Sequence, residues 1–264
     1  MTTLCARIAG VGFWASGLPS WEAARAYAHD GRLPEGAPRR PSPELLAPNE
    51  RRRAPESVAV ALEVALAACR ASGHDPATLA SIFASGHGDF AITGYMCETL
   101  ASDPRAISPI RFHNSVHNAA AGYWTIGAGC TATTTAISAG PATFAQGLLE
   151  ALAQLATGTP AVLLVAYDVE SSGLLGTLTP SAGLLGGALV LTAAADGTGA
   201  LLRASPCAAG TAQPAPGPLA QRLHGNAMAP MLPLFDALAA GAGRVMLDAG
   251  AAQALEVEVE AMHV

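Results

Sequence analysis

The pattern of apolar and polar positions changes period once within the stretch from Thr133 to Leu155. β-Branched residues dominate its first part, Thr133 to Ile137, which is typical of a strand. Ala139-Gly140-Pro141 then interrupts the run, and Phe144, Leu148, Ala151, Leu152 and Leu155 recur at helical spacing. The stretch therefore predicts a strand, a tight turn and an amphipathic helix, which together form an elbow.

The same reasoning predicts alternating strands and helices along most of the chain. The predicted strands are Cys5–Val11, Leu79–Ala84, Ala161–Tyr167 and Leu255–Glu260, together with a hairpin of Ala188–Ala193 and Ala200–Arg203. One helix is predicted to begin at about Ser20. The other predicted helices span Glu56–Ala71, Ile92–Leu100, Ala119–Ile126 and Leu232–Ala240. This order predicts an α/β fold with a mixed sheet of five or more strands and helices packed on it.

Three predictions concern the less regular parts of the pattern. The hairpin would turn at Asp196–Gly199, and Leu255–Glu260 would form a half-exposed strand at the sheet edge. Gly31–Pro55 is predicted to be an irregular exposed connection, and Ala208–Pro218 a second linker. We expect one domain over residues 1–264, in which residues 208–264 are a less certain C-terminal extension.

Composition and charge exclude several function classes. Hydrophobic residues make up 51% of the chain and charged residues 13%, which indicates a surface made for a partner. The net charge of −6 argues against general nucleic-acid binding. The sequence contains no lysine, so Schiff-base chemistry and a Walker-type phosphate loop are excluded. No cofactor is expected.

The five cysteines are scattered and include no CxxC pair. This pattern predicts a reduced cytoplasmic protein without a disulfide framework or a zinc site of familiar spacing. No run of apolar residues approaches the length of a membrane span, and Met1–Gly17 lacks the basic start of a signal peptide.

Candidate chemistry centres on two histidines and one cysteine. His113 and His117 are four residues apart, but no third ligand has metal-binding spacing, so we expect them to cap or hydrogen-bond a turn and expect no metal. Cys130 follows a Gly-Ala-Gly turn and could be a nucleophile, although a buried inert thiol is the more frequent case.

A run of arginines offers a possible docking surface. The cluster could receive an acidic partner such as an acyl carrier protein, although a solvated charge run explains it equally well. Its members are Arg39, Arg40, Arg51, Arg52 and Arg53.

The region from Ser108 to Asp168 resembles the β-ketoacyl synthase family of the thiolase fold. The resemblance rests on Ser108-Pro109, Asn118, Ala121-Gly122, Ile126, the strand from Thr133 to Ile137 and the strand from Ala161 to Asp168. Ser115–Trp124 and Ser138–Gly140 are further similar to short chain-length-factor-like ketosynthase homologues of aryl polyene type pathways. The chain thus resembles the N-terminal half of the thiolase fold, with good coverage to about Arg203.

The resemblance implies a subunit without chemistry of its own. The place of the family's catalytic cysteine falls at Pro141, which has no reactive atom, and the family's catalytic histidines belong to a second half-domain. Decarboxylative condensation needs a thiolate and histidines, so the chain should not condense acyl groups alone.

The family's strand before the elbow pairs across the dimer axis. The resemblance therefore implies a heterodimer with an active ketosynthase, in which the interface strand is Thr133, Thr134, Thr135, Ala136, Ile137 and Ser138. Phe112, Trp124 and Phe144 would wall off the partner's acyl tunnel and limit chain length in polyene or fatty-acid-like biosynthesis. Acyl carrier protein would be a transient partner.

Two other hypotheses remain open from the sequence. The chain could be a small acyl-transfer or thioester-hydrolysing enzyme that uses Cys130 with His113 or His117. It could also be a homodimeric binding protein.

Overall fold

The computed structural model describes residues 3–195, 199–210 and 215–261. Within these residues eight strands form one sheet of order β3-β2-β4-β5-β1-β6-β8-β7. The strands are β1 (Leu4–Ala15), β2 (Ala80–Ala84), β3 (Thr134–Ile137), β4 (Ala161–Asp168), β5 (Leu185–Ala193), β6 (Ala200–Ala208), β7 (Gly243–Gly250) and β8 (Gln253–Glu260). Strand β2 runs parallel to β3 and β4, and every other neighbouring pair is antiparallel.

The helices lie on both faces of this sheet. They are α1 (Trp21–Asp30), α2 (Pro48–Arg51), α3 (Glu56–Ser72), α4 (Phe90–Ser102), α5 (Pro109–Asn114), α6 (Ala119–Ala128), α7 (Thr143–Ala156), α8 (Gly173–Leu178), α9 (Pro218–Leu223) and α10 (Leu232–Ala240). Helices α3 and α6 bury their apolar residues on one face, while α7 and α10 do so on the other. The predicted α/β class with a mixed sheet is confirmed.

Adjacent residues of a strand pack into two separate hydrophobic cores, one on each face of the sheet. On β1, Phe13 contributes to the core beneath α7 and α10, whereas Trp14 contributes to the core beneath α3 and α6. Every residue of β4 is buried, as the continuous apolar run predicted, because both of its faces are covered by helices. The sheet is therefore the middle layer of three.

Helix α3 lies directly against the backbone of β1. A Cβ added at Gly12 would lie 2.0 Å from the carbonyl oxygen of Val64, and one added at Gly10 would lie 2.3 Å from the carbonyl oxygen of Ala68. The two glycines thus allow a helix-to-strand approach that a side chain would prevent.

We expect Gly12→Ala to lower the free energy of unfolding by about 1–3 kcal/mol, because the new methyl group meets a backbone carbonyl that cannot rotate away. Urea denaturation followed by circular dichroism measures this change. Gly94→Ala is the matched control, since a Cβ there has open space within helix α4 and should stabilise by about 0.5–1 kcal/mol. An unchanged midpoint for Gly12→Ala would contradict the close approach.

The predicted hairpin of Ala188–Ala193 with Ala200–Arg203 is wrong. Strand β1 lies between β5 and β6, so that Ile8 pairs with Leu191 on one side and with Ala200 on the other. Strands β5 and β6 are both antiparallel to β1 and consequently run parallel to each other. Turn-forming residues indicate that the chain changes direction, but they do not show which strand lies between the two segments that they join. Three of the predicted turn residues, 196–198, lie outside the described residues.

The last strand is not at the sheet edge. Strand β8 lies between β6 and β7, and its carboxylates meet arginines of both neighbours: Glu256 and Glu258 lie 3.1 and 3.5 Å from Arg244, and Glu260 lies 3.3 Å from Arg203. The edge prediction was wrong because β7 was missed. The available signal was the short apolar run Val245-Met246-Leu247 between Arg244 and Asp248, of which Val245 and Leu247 are buried.

Candidate functional site

Among the described residues, strand β3 pairs with β2 alone, so it is an edge strand of the sheet. Ser81 N–H donates to the carbonyl of Thr133 at 3.0 Å, and Ser85 N–H donates to that of Ile137 at 3.1 Å. Because hydrogen bonding alternates along a parallel pair, the backbone groups of Thr133, Thr135 and Ile137 face β2. Those of Thr134 and Ala136 therefore point away from the sheet.

The outer side of β3 offers its backbone without a protective charge. Thr134 and Ala136 are exposed, and no residue of β3 carries a charged side chain. Sheet edges that remain free usually carry charges, prolines or bulges, which prevent pairing with another chain. The structure thus places the predicted interface strand at an edge suited to strand addition.

Large apolar side chains are exposed on four helices, of which α6 adjoins this edge. Helix α6 packs beside β3, and α4 contacts both α5 and α8. The exposed residues on these helices are Leu100, Ile110, Phe112, Ile126, Leu174 and Leu178, and Ile126 is 80% exposed. Clustered exposed apolar residues mark interaction surfaces.

The elbow after β3 is held by one threonine. Gly140 adopts φ +56°, a left-handed conformation that favours glycine, and begins a 3₁₀ turn that leads into α7. The buried Thr143 hydroxyl accepts from Ala139 N–H at 2.9 Å and donates to the Gly140 carbonyl at 2.7 Å. These two bonds join the turn to the first residue of α7.

No thiol lies anywhere in the elbow between β3 and α7. Pro141 lies in the 3₁₀ turn and contributes neither a nucleophile nor an N–H donor. The one hydroxyl in the segment from Ile137 to Ala142 belongs to Ser138, and it donates to the Gly86 carbonyl at 2.9 Å. The absence of a thiolate therefore does not depend on which residue is taken as the apex.

A buried carboxylate network lies beneath the elbow. Asp168, at the end of β4, accepts from Ser85 Oγ at 2.6 Å and from Gly86 N–H at 2.9 Å. Burial raises the pKa of Asp168 above its ordinary value, and the nearby His87 together with these hydrogen bonds opposes that rise. His87 Nε2 lies 3.8 Å from Asp168 Oδ1 and has no hydrogen-bond partner in the described part of the chain.

This network ties together the ends of three strands. Ser85 and Gly86 follow β2, Asp168 ends β4, and Ser138 joins β3 to it through the Gly86 carbonyl. Sequence reasoning noted Asp168 only as the acidic end of a strand and missed its partners. The available signal was Ser85-Gly86-His87-Gly88 after one strand and an aspartate after another, since the ends of parallel neighbours meet at one sheet edge.

The structure places Cys130 and both candidate histidines in contact with other groups. Cys130 Sγ is buried and donates to the Leu79 carbonyl at 3.4 Å, before β2 begins. His117 Nε2 lies 2.9 Å from the carbonyl oxygen of Ser85, beyond the other end of β2, and His113 packs edge-on against Tyr123. The proposed cysteine–histidine pair was wrong because the length of β2 lies between Cys130 and His117.

Phe112, Trp124 and Phe144 do not come together. Trp124 is fully buried in the core beneath α3 and α6, and Phe144 is buried in the core on the opposite face of the sheet. Phe112 is 60% exposed on α5. A shared wall built by all three is therefore excluded in this chain, and Phe112 alone is exposed enough to meet a partner.

The members of the arginine cluster differ in their contacts, although four of the five are exposed. Arg40 lies 2.9 Å from a carboxylate oxygen of Glu56, and Arg51 donates to the Leu46 carbonyl at 2.9 Å. Arg39, Arg52 and Arg53 are exposed, and Arg52 contacts Asn49. The docking prediction for the cluster stays a prediction.

The described residues include neither a metal-binding cluster nor a membrane-spanning helix. No three His, Cys, Asp or Glu side chains among residues 3–195, 199–210 and 215–261 are grouped so that they could hold a metal ion. In the same ranges no helix has both the length and the apolar character needed to cross a membrane.

Residues 21–247 match the model of the β-ketoacyl synthase N-terminal domain, so the chain belongs to the β-ketoacyl synthase family. The match extends well beyond Arg203, where the sequence resemblance was expected to fade. A search of curated protein sequences gave no significant match.

Similar solved structures carry the same fold. One is the ketosynthase ApeO in complex with its chain length factor ApeC from Xenorhabdus doucetiae, with TM-score 0.75 and 22% identity over 97% of this chain and 99% of that chain. The ishigamide ketosynthase/chain length factor is similar with TM-score 0.76 and 12% identity, over 98% of this chain and 100% of that chain. A chain from the complex of the type II PKS acyl-carrier protein AntF with the ketosynthase AntDE is similar with TM-score 0.74 and 11% identity, over 99% of this chain and 100% of that chain. The predicted thiolase-like fold is confirmed.

Proposed function

We propose that this protein is a noncatalytic, chain-length-factor-like subunit that pairs with an active ketosynthase. One observation carries the proposal: an elbow without a thiol adjoins an unpaired and uncharged strand edge. The fold supports it, because similar structures include chains from ketosynthase/chain length factor complexes. We propose that the reaction class is acyl-chain extension in polyketide biosynthesis, of the aryl polyene or fatty-acid-like kind, in the cytoplasm.

The proposed heterodimer forms through β3 and the adjoining helix α6. Main-chain groups of Thr134 and Ala136 would pair with a strand of the ketosynthase, while exposed side chains such as Ile126 would be buried against it. Strand addition gives affinity through backbone bonds, and the apolar surface adds the hydrophobic term.

Within this heterodimer we propose that Phe112 faces the partner's acyl tunnel. It is the exposed member of the three aromatic residues, whereas Trp124 and Phe144 stabilise the two cores. Arg39, Arg52 and Arg53 are proposed to contact acyl carrier protein transiently, because all three are exposed and none forms an ion pair with another described residue.

Coexpression with a full-length ketosynthase encoded beside this gene tests the proposal. We expect a stable one-to-one complex in size-exclusion chromatography with light scattering, because burying the strand edge and apolar helices favours association. The complex should extend acyl chains and the isolated chain should not. A monodisperse monomer that ignores the ketosynthase would rule the proposal out, and a homodimer in native mass spectrometry that persists beside the ketosynthase would favour a homodimeric binding protein.

A further inference from the structure

A pocket of about 620 Å³ lies where helices α3, α4 and α5 begin, beside the end of β4. We call it the amide pocket, and its walls combine apolar and polar side chains: Ile92, Ser108, Ile110, Arg111, Asn114 and Val169. It is separate from the elbow, since none of residues 138–142 lines it. Known small-molecule sites span about 300–1,000 Å³ and combine apolar walls with a few polar groups, so the pocket has a suitable size and lining.

The amide of Asn114 has a donor without a partner. Asn114 is only 5% exposed, and its Oδ1 accepts from the Tyr123 hydroxyl at 3.1 Å. Its Nδ2 forms no hydrogen bond with any described residue, although the side chain lines the pocket. Leaving a buried amide donor unpaired costs free energy, so an acceptor atom of a ligand in the pocket would be stabilised there.

The starts of two long helices form one side of the pocket. The buried Ser57 hydroxyl on α3 donates to Asp89 Oδ2 at 3.0 Å, and Asp89 Oδ1 accepts from Ile92 N–H at 3.1 Å, which caps α4. Helix α3 has 17 residues and begins at Glu56 after Pro55, and no side chain caps it. Because Pro55 and Glu56 line the pocket, the uncapped N–H groups of α3 favour an anion there.

Two arginines can pair with such an anion. Arg53 and Arg111 both line the pocket, and neither forms an ion pair with another described residue. The Arg111 guanidinium carbon lies 4.0 Å from the centre of the Tyr95 ring, and the Tyr95 hydroxyl accepts from Ser108 N–H at 3.1 Å. Arg111 is therefore positioned before a ligand binds, which reduces the conformational entropy lost on binding.

The carboxylates at the pocket limit the charge of the ligand. Glu56 lies 2.9 Å from Arg40 and both Asp89 oxygens accept hydrogen bonds, whereas Glu170 is exposed and has no ion pair among the described residues. Two unpaired guanidinium groups thus face one unpaired carboxylate, which favours an anion. A second negative charge on the ligand would be repelled by Glu170 and Asp89, so a carboxylate fits better than a dianionic phosphate.

We propose that the amide pocket is a binding site for an organic monocarboxylate, whose carboxylate accepts from Asn114 Nδ2 and pairs with Arg111. The apolar side chains of Ile92 and Val169 contact the organic body of the ligand. This inference goes beyond the proposed subunit function and does not rest on pairing with a ketosynthase, so the isolated chain should bind the ligand.

Isothermal titration calorimetry of the isolated chain with 2-naphthoate tests the site. We expect one probe per chain and a dissociation constant at least about tenfold lower than that of the neutral 2-naphthamide, because only the carboxylate pairs with Arg111. Inorganic phosphate should bind more weakly than 2-naphthoate, since it brings a second negative charge. Equal affinity for the two naphthalene probes, or tighter binding of phosphate, would overturn the proposal.

Two pairs of variants locate the bound carboxylate. Asn114→Asp keeps the acceptor for the Tyr123 hydroxyl but replaces the donor with a negative charge, so it should weaken 2-naphthoate binding at least about tenfold. Asn118→Asp is the matched control, because Asn118 is exposed and does not line the pocket. Arg111→Gln should also weaken binding about tenfold, whereas Arg105→Gln, at an exposed arginine outside the pocket, should not.

The exposed position of Arg111 keeps the test decisive if the buried Asn114→Asp variant does not fold, which circular dichroism shows. Unchanged binding of 2-naphthoate by folded Arg111→Gln would place the probe elsewhere on the chain and rule the proposal out. Equal losses in Arg111→Gln and Arg105→Gln would do the same, because they would indicate a general effect of net charge.

Discussion

Ala136→Pro should abolish pairing with the ketosynthase and leave this chain folded. The backbone N–H of Ala136 points away from β2, so its removal costs no hydrogen bond within the sheet. Proline is tolerated on an edge strand when the missing N–H faces solvent. It does deprive an added strand of a donor, and its ring blocks close approach. We expect the affinity for the ketosynthase to fall at least about 100-fold, because more than one backbone hydrogen bond to the added strand is lost together with the packing between the two strands.

The experiment compares two substitutions at one position. Ala136→Val retains the N–H and has a higher strand preference, so it should form the complex as the unmodified chain does. Biolayer interferometry gives the dissociation constants, and urea denaturation checks that each variant has kept its stability. If Ala136→Pro bound the ketosynthase normally, β3 would not be the interface, whereas loss of binding by both variants would point to the side chain and not the backbone.

Trp124→Ala should lower the free energy of unfolding by about 3–5 kcal/mol, which makes it the most destabilising single change that we predict. The indole is fully buried against Phe83, with ring centroids 6.3 Å apart, and its removal leaves a cavity in the core beneath α3 and α6. Urea denaturation followed by tyrosine fluorescence and circular dichroism gives the change. Its Nε1 has no hydrogen-bond partner among the described residues, so Trp124→Phe should cost much less.

Phe112→Ala is the matched control, because Phe112 is the aromatic residue that we propose to face the partner's acyl tunnel. Phe112 is 60% exposed, so its loss should change the stability of the isolated chain by no more than about 0.5 kcal/mol. Its effect should appear in the complex, as a change in the length of the acyl chain that the ketosynthase makes. A small stability loss for Trp124→Ala together with an altered product length would show that Trp124 faces the tunnel after all.

Local patterns predicted the elements near the site well. Thr134–Ile137 forms the strand predicted over Thr133–Ile137, and the small residues around Gly140 form the turn. Helix α1 begins next to Ser20, as predicted, and the Ser20 hydroxyl caps it by accepting from Ala23 N–H. These features depend on neighbours in the chain, which the sequence displays directly. The resemblance to ketosynthases also rested on such contiguous segments, and the family match confirmed it.

Features that depend on distant neighbours were not predictable. Strand β1 separates β5 from β6, and this could not be read from turn residues between the two strands. Trp124 and Phe144 flank the same elbow in sequence, yet the sheet lies between them. The network around Asp168 joins residues 82 and 83 positions apart, so only the folded chain brings its donors to the carboxylate.

The two ends of the sheet differ in a way that limits how far an assembly can grow. Strand β7 carries Arg244 and Asp248 and an irregular register near Gly250, all of which discourage the addition of another strand. Strand β3 lacks such features. If β3 pairs with a strand of the ketosynthase as proposed, that pairing occupies the one edge open to extension, and an assembly built by strand addition would then stop at two subunits instead of propagating into a fibre.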